Sequence, residues 1–519
     1  MTDTQRAVVI GSGPSGAIAA LTLLERGIPV TMLESGQAFP AGLVVRAFGR
    51  NLFRKWAPNS GQYPLTVPAA DRYAYVASGN PDTLWQNALM PGGLSNYWTG
   101  AVPRFAPEDF SEGARLHERY CWPVSYDDLA PFYSQAELLL GVVGERREVP
   151  QLPPPDALVQ TRSLPKAWRD VARQAERRGQ GLVYSPLADG PNWLVRRAGA
   201  AFNSFERLVS RLASYPHFEL RLGAHAQRLS WSGALGRVDG VEYVDRNTGT
   251  AHHIAANAVV VAAGPLASPK LLLQSVSADF PSGLGNDRGL VGHFLHDHPK
   301  DWCVLELDRA LPRLDQPLYL SRAPYAQSPP LMGASITLGP ISKWDRVLSF
   351  TGATTTRFGM NVFTTMLPEA DNYVRLHPDQ RDQFGMPVLD IHMRYGPDVA
   401  TTLAAAHQRL RTIFDQAGLH FTLDCPPNQL VPGASAHYAG AVRMHSSPEY
   451  GVLDRWNRLH DVANVAVVDA SCFTTAVEKN PTLTAMALAA RAADHLADDL
   501  KNDTENWRSQ PAHRLPLVR

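Results

Sequence analysis

Six residues into the chain comes an unbroken apolar run, Ala7-Val8-Val9-Ile10. A short run without polar alternation predicts a parallel strand covered on both faces. Gly11-Ser12-Gly13-Pro14-Ser15-Gly16 follows. Next come an apolar stretch from Ala17 to Arg26, which reads as a helix, and Ile28 to Leu33, a second strand closing on Glu34. Two more apolar runs, Asn257 to Gly264 and Val465 to Asp469, end in small or acidic residues and lead towards helices. These segments are expected to share one sheet, assembled from distant parts of the chain. Residues 301–435 behave differently. Stretches such as Trp302-Cys303-Val304-Leu305-Glu306-Leu307 alternate, which predicts an antiparallel sheet with one covered face. Val399 to Gln416 reads as a helix within that region. Pro150 to Pro155 is expected to be an extended linker, and the Thr- and Gly-rich stretch Ser349 to Met360 a mobile segment over the substrate. From about Asn502 onward the polar tail, with Pro511 and Pro516, is expected to be extended.

Composition narrows the function classes. Of 519 residues, 45% are hydrophobic and 19% charged, which suits a folded chain of about three domains' length. Lys+Arg and Asp+Glu are both 49, so the basic surplus that a nucleic-acid binder needs is absent. The four cysteines (Cys121, Cys303, Cys425 and Cys472) show no CxxC or metal-type spacing and are expected to be unpaired thiols. The start of the chain leaves no room for a secretory leader before the first strand. No apolar run reaches the ~18–20 residues of a membrane span. A cytoplasmic protein is expected.

Gly11, Gly13 and Gly16 fit G-x-G-x-x-G. Glu34, 23 positions after Gly11, stands where an acid accepts from ribose hydroxyls. Strand, glycine turn, helix, strand and acid together read as a dinucleotide site, and on these residues alone the ligand is FAD or NAD. Three further segments carry more. They are Pro91-Gly92-Gly93-Leu94-Ser95-Asn96-Tyr97-Trp98-Thr99-Gly100, His437-Tyr438-Ala439-Gly440, and Val467-Val468-Asp469-Ala470-Ser471 with Asn480-Pro481-Thr482.

With these segments the chain resembles the glucose–methanol–choline family of FAD-dependent oxidoreductases. The likeness covers the N-terminal turn, the 91–105 loop, Gly264 to Leu272, Gly292 to Pro299 and almost all of 435–497. Within the family the Gly92 to Phe105 loop is most similar to pyranose oxidases and bacterial glycoside 3-oxidases. Tyr97 stands where fungal pyranose oxidases carry a flavin-linked histidine, so the resemblance implies FAD bound non-covalently. It implies cofactor contacts from Gly11, Gly13, Ser15, Gly16, Glu34, Gly92, Gly93, Ser95, Asn96, Ala226, Ala263, Asp469, Ala470, Pro481 and Thr482. It also implies that His437 is the general base, with a pKa near neutrality, and that Asn480 is its positioning partner. Asn480-Pro481 is equally a good helix start, so capping is a competing role for Asn480. His293, His296, Asp297 and His298 are close in sequence, but no metal is expected there. His445 is expected to be structural, and neither Ser471 nor Cys472 a nucleophile.

The implied fold is α/β: a Rossmann-like FAD-binding domain built from discontinuous segments, plus an α+β substrate-binding domain with an antiparallel sheet. Residues 1–110, 201–300 and 436–500 would form the FAD-binding parts, the last holding the catalytic pair. Residues 111–200 would be an insertion or linker with part of the substrate domain, 301–435 the substrate domain, and 501–519 a tail. The implied reaction is oxidation of a secondary hydroxyl on a sugar or glycoside ring, with oxygen or a quinone-type molecule as final acceptor. Alternatives are a primary-alcohol oxidase or dehydrogenase acting on an aminoglycoside, and an FAD-containing lyase of the same fold. A polycationic substrate favours an acidic pocket, and residues 301–435 hold 13 acids against 11 bases, no strong trap. A pyridine-nucleotide disulfide reductase would need a CxxxxC pair, which the chain lacks.

Overall fold

In the computed structural model, residues 5–37, 74–78, 83–87, 89–96, 98–188, 202–341, 348–349, 351–427 and 430–502 are described. β1 (Ala7–Ile10) is wholly buried and leads through the glycine turn into α1 (Pro14–Glu25), three residues earlier than the apolar pattern alone places the helix. β2 (Val30–Glu34) returns parallel to β1, with Ala7 opposite Val30. On the other side of β1 lies Ala258–Val261, with Ala7 opposite Ala258, and beyond it Val462–Val467. Phe218–Leu222 adds a parallel strand outside β2, and Arg458–Leu459 closes the far edge antiparallel. The sheet is thus drawn from three distant stretches of chain, and both faces of its central strands are covered. α1 and the terminal helix Thr482–Asn502 pack against one another there.

The second large sheet is antiparallel and six-stranded. Its order is Phe421–Asp424, Lys300–Pro312, Thr354–Thr364, Ala334–Gly339, Leu318–Leu320 and Leu182–Tyr184. The helix Asp398–Gln416 lays Ala406, Leu410, Ile413 and Phe414 on one face, in a core with Cys303, Leu305, Phe358 and Met360. Lys300 and Phe363, on two paired strands of this sheet, line the cavity described below.

Several expectations change here. Thr354–Thr364 is a strand paired with Lys300–Pro312, from Gly359 onward it also pairs with Ala334–Gly339, and Met360 is fully buried, so the second half of the stretch expected to be mobile is held in a sheet. The Pro150 to Pro155 stretch is no free linker: Leu152 and the preceding Val149 are buried against Val183 and Tyr319. Cys303 and Cys425 form a disulfide, while Cys121 and Cys472 are unpaired. The pairing brings together residues 122 positions apart, because Val304 stands opposite Asp424 and so aligns the cysteines beside them. Spacing along the chain cannot reveal such a pair. A bridge of this kind is characteristic of oxidising compartments and speaks against the cytoplasmic expectation. No helix among the described residues is long and apolar enough to cross a membrane. The expected C-terminal extension beyond residue 502 lies outside the described residues.

Candidate active site

One cavity of about 310 Å³ runs between the two sheets, from the glycine turn to His437 and Asn480. At the nucleotide end the three glycines do different things. Gly11 turns with φ +101°, and a Cβ there would lie 2.4 Å from the Ala262 carbonyl oxygen. A Cβ on Gly16 would lie 2.1 Å from the Gly11 carbonyl oxygen, so its absence lets α1 lie close on β1. At Gly13 a Cβ would meet nothing within 4 Å. Gly13 is also the N-cap of α1, and no side chain caps that helix. Its first N–H groups are therefore open to an anion. Open space beside Gly13 and an uncapped helix end in the same wall fit the diphosphate of FAD.

The charges at this end are answered by the fold. The Glu34 carboxylate accepts from the Ser12 amide (2.9 Å), the Ser12 hydroxyl (2.5 Å) and the Gly36 amide (2.6 Å). Burial raises its pKa and those bonds oppose the rise. Asp469 accepts from the amides of Gly264 (3.0 Å) and Ser471 (2.9 Å) and from the Ser268 hydroxyl, and burial likewise raises its pKa. Lys270 pairs with Asp382 at 2.6 Å.

At the far end, His437 Nε2 lies 2.9 Å from Asn480 Nδ2, and His437 Nδ1 lies 2.9 Å from His298 Nδ1. Asp297 accepts the His437 backbone N–H at 2.9 Å, and Ala436 just before it holds φ 56°, a strained angle for a residue with a side chain. Asn480 settles its competing role. The terminal helix starts at Thr482, its first bond runs from Ala485 N–H to the Pro481 carbonyl, and the Asn480 side chain points to His437. The preceding residue is locked: Lys479, fully buried, donates to Asp109 (2.7 Å) and Glu478 (2.8 Å), and Asp109 also pairs with Arg322 at 3.0 Å.

The His437 imidazole is a weaker base than the sequence leads one to expect. Burial, and next the charge of Lys300, push the His437 pKa down to about 3, and burial with the neighbouring His437 holds His298 well below 6.5. Burial raises Asp297 to about 7 against the pull of the His437 amide. His437 is therefore neutral at pH 7. With Asn480 donating to Nε2, the His437 proton sits on Nδ1 and is given to His298.

Gly11, Gly13, Ser15, Glu34, Gly93, Ser95, Ala226, Ala263, Asp469, Ala470, Pro481 and Thr482 line the cavity with His437 and Asn480. Gly16, Gly92 and Asn96 do not. Gly16 is spent on helix packing. Gly92 donates its N–H to the Ser12 hydroxyl at 2.8 Å, and the Asn96 amide donates to the carbonyls of Pro91 and Gly93, so both brace the loop from behind. Tyr97 lies outside the described residues. The three clustered histidines diverge: His293 bonds the Ala370 carbonyl, His296 the Phe294 carbonyl, and His298 the ring of His437. His445 is buried on the carbonyl of Glu118, a structural role. Sequence reasoning missed Lys300 and Phe363, which line the cavity as facing residues of paired strands, and took His298 only as part of a metal question. The His-Pro segment was the available signal for His298 and its neighbour Lys300.

Comparison with known proteins adds a family and relatives. Family models described as GMC oxidoreductase match residues 82–300 and 368–489. The chain is 28% identical to a 2-methyl-1,2-propanediol dehydrogenase of Mycolicibacterium austroafricanum, over 98% of each chain. It is 28% identical to a 6'''-hydroxyparomomycin C oxidase of Streptomyces lividus, over 95% of this chain and 92% of that one. It is 27% identical to a C-glycoside 3-oxidase of Microbacterium trichothecenolyticum, over 95% and 97%.

Proposed function

The chain belongs to the GMC oxidoreductase family, and on that footing we propose that it oxidises a secondary hydroxyl on a sugar or glycoside ring to a ketone, with His437 as the base. It is an FAD-dependent alcohol oxidase or dehydrogenase. The observation that carries the finer reading is the His437–Asn480 contact, 2.9 Å, in a cavity continuous with the nucleotide turn. The C-glycoside 3-oxidase among the relatives supports a ring hydroxyl as the target.

FAD, when bound, supplies the two-electron acceptor for the hydride released from carbon. The chain handles the proton. An alcohol entering beside His437 gives its O–H to the Nε2 lone pair, and Asn480 turns an Nδ2–H onto the alcohol oxygen. The second amide hydrogen of Asn480 lets it hold oxygen and imidazole in sequence. His298 keeps the ring in the tautomer that leaves Nε2 bare, and Asp297 fixes the backbone of His437. As the C–H bond breaks, the O–H proton completes its transfer to Nε2, and the imidazolium formed is destabilised by burial and Lys300. That strain favours rapid onward loss of the proton.

The test is anaerobic bleaching of the flavin band by sugars, glycosides and simple alcohols, in the native enzyme and in His437→Ala. The variant is expected to keep FAD and to reduce it at least ~10²-fold more slowly, the scale of a lost general base. An unchanged rate in the variant removes His437 from the role. A native enzyme bleached by none of the alcohols removes the oxidation itself.

A further inference from the structure

The cavity holds a cation that the fold leaves without a counter-ion among the described residues. Lys300 is the first residue of the strand Lys300–Pro312 and stands opposite Phe363, whose ring lies 5.3 Å from that of His437. Lysine, phenylalanine and histidine thus share one wall. The ammonium sits 5.9 Å from the centre of the Phe363 ring and makes no hydrogen bond or ion pair with another described residue. Glu34, Asp469 and Lys270 all line the same cavity, and each is satisfied by the fold. Asp297 lies close enough to favour the charged lysine, but its oxygens are turned to the amides of His437 and Ser435. Burial lowers the Lys300 pKa against that help, as expected for an ammonium losing water without gaining a partner.

An uncompensated cation in a partly desolvated chamber costs stability unless an anion comes to it. We propose that Lys300 selects the substrate, drawing in an alcohol that carries a carboxylate, such as a uronate ring, and turning away one that carries an ammonium. This rests on the alcohol-oxidising reading above and deepens it. It also weighs against an aminoglycoside substrate, although a paromomycin-type oxidase is among the relatives. The near balance of acids and bases over 301–435 is silent on this point. One unpaired charge in the cavity wall shared with His437 decides more than a regional count.

The experiment is anaerobic flavin reduction of the full-length holoenzyme by two matched sets: glucuronate, glucose and glucosamine, then glycolate, ethylene glycol and ethanolamine. In the native enzyme the acid of each reactive set should show the lowest half-saturating concentration and the amine the highest. Lys300→Met should shrink the acid-over-neutral preference by about tenfold or more, the scale of one charge-assisted hydrogen bond. The same variant should melt no lower than the native protein, because it removes a desolvated charge and breaks no pair. Three outcomes overturn the inference: no ranking by charge in the native enzyme, a preference untouched by Lys300→Met, or an equal loss for acid, neutral and amine. The last would assign the lysine to the flavin. Failure of all six alcohols to bleach the flavin is a different result, and it counts against the oxidation reading itself.

Discussion

At the nucleotide end of the cavity Glu34 is held by two amides and a hydroxyl, Asp469 by two amides and a hydroxyl, and Lys270 by Asp382. At the His437 end two imidazoles share one proton between nitrogens 2.9 Å apart, and Lys300 stands without an ion-pair partner among the described residues. The contrast follows from what each end must do. A cofactor that stays bound meets a finished surface, so the polar groups there can be satisfied by the chain. A substrate that comes and goes needs donors and acceptors left over for it, and these are costly while the site waits. The cost is carried by a rigid support: Asp109, Arg322, Lys479 and Glu478, all fully buried behind Asn480.

Acid should act mainly on the catalytic end. Burial depresses His437 to about 3, His296 and His225 to about 4, and His298 well below 6.5. Each stays neutral in the fold while its unfolded counterpart takes up a proton below about pH 6.5. Stability is therefore full above that pH and falls as pH drops from 6.5 towards 4, by roughly 1.4 kcal/mol per unit for each imidazole. Asp297, raised to about 7, opposes with the contribution of one group. Thermal melts of the FAD-free protein between pH 6.5 and 5 should show a loss of roughly several kcal/mol. Three of these four histidines sit at or beside the His437 end, while His460 and His495, also lowered, lie elsewhere and add to the slope, and a flat profile would break the comparison.

Asp109→Ala strips Lys479, Arg322 and Tyr325 of a shared buried partner. It should cost about 3–5 kcal/mol in chemical denaturation, and it should slow flavin reduction in whatever fraction still folds. Loss of FAD with an unaltered reduction rate would mean that the cluster serves the wrong end. The smallest changes test the nucleotide end. Gly11→Ala should destabilise the fold by about 1 kcal/mol or more, since its Cβ meets the Ala262 carbonyl at 2.4 Å and its φ is positive. Gly13→Ala should leave the melting of the FAD-free protein within about 0.5 kcal/mol and weaken FAD retention, because its Cβ fills only open cavity. Equal effects of the two on folding would show that Gly13 is kept for packing and not for a ligand.

The nucleotide turn was legible because its requirements are local. Gly11, Gly13 and Gly16 answer to atoms a few residues away or one strand over, and the strand–turn–helix order leaves little choice of partner. The loop-bracing bonds of Gly92 and Asn96 were hidden for the opposite reason. They lie in a loop whose meaning depends on Ser12 and Asn203, more than a hundred positions away in the latter case. Asn480 could be a cap or a partner for His437 until the backbone showed which atoms its amide reaches.

From its own pattern the chain determined the doubly covered parallel sheet, the dinucleotide turn and the antiparallel second sheet, and family likeness pointed to His437 and Asn480 as the candidate pair. Apolar runs and glycine positions encode these directly, since a strand's burial and a turn's φ are set within a few residues. Only the tertiary structure decided that Cys303 meets Cys425, that His298 bonds the ring of His437, and that Lys300 lines the cavity with no ion-pair partner among the described residues. Whether a charge or a thiol has a partner depends on side chains brought together by sheet register, and register joins positions tens to hundreds of residues apart.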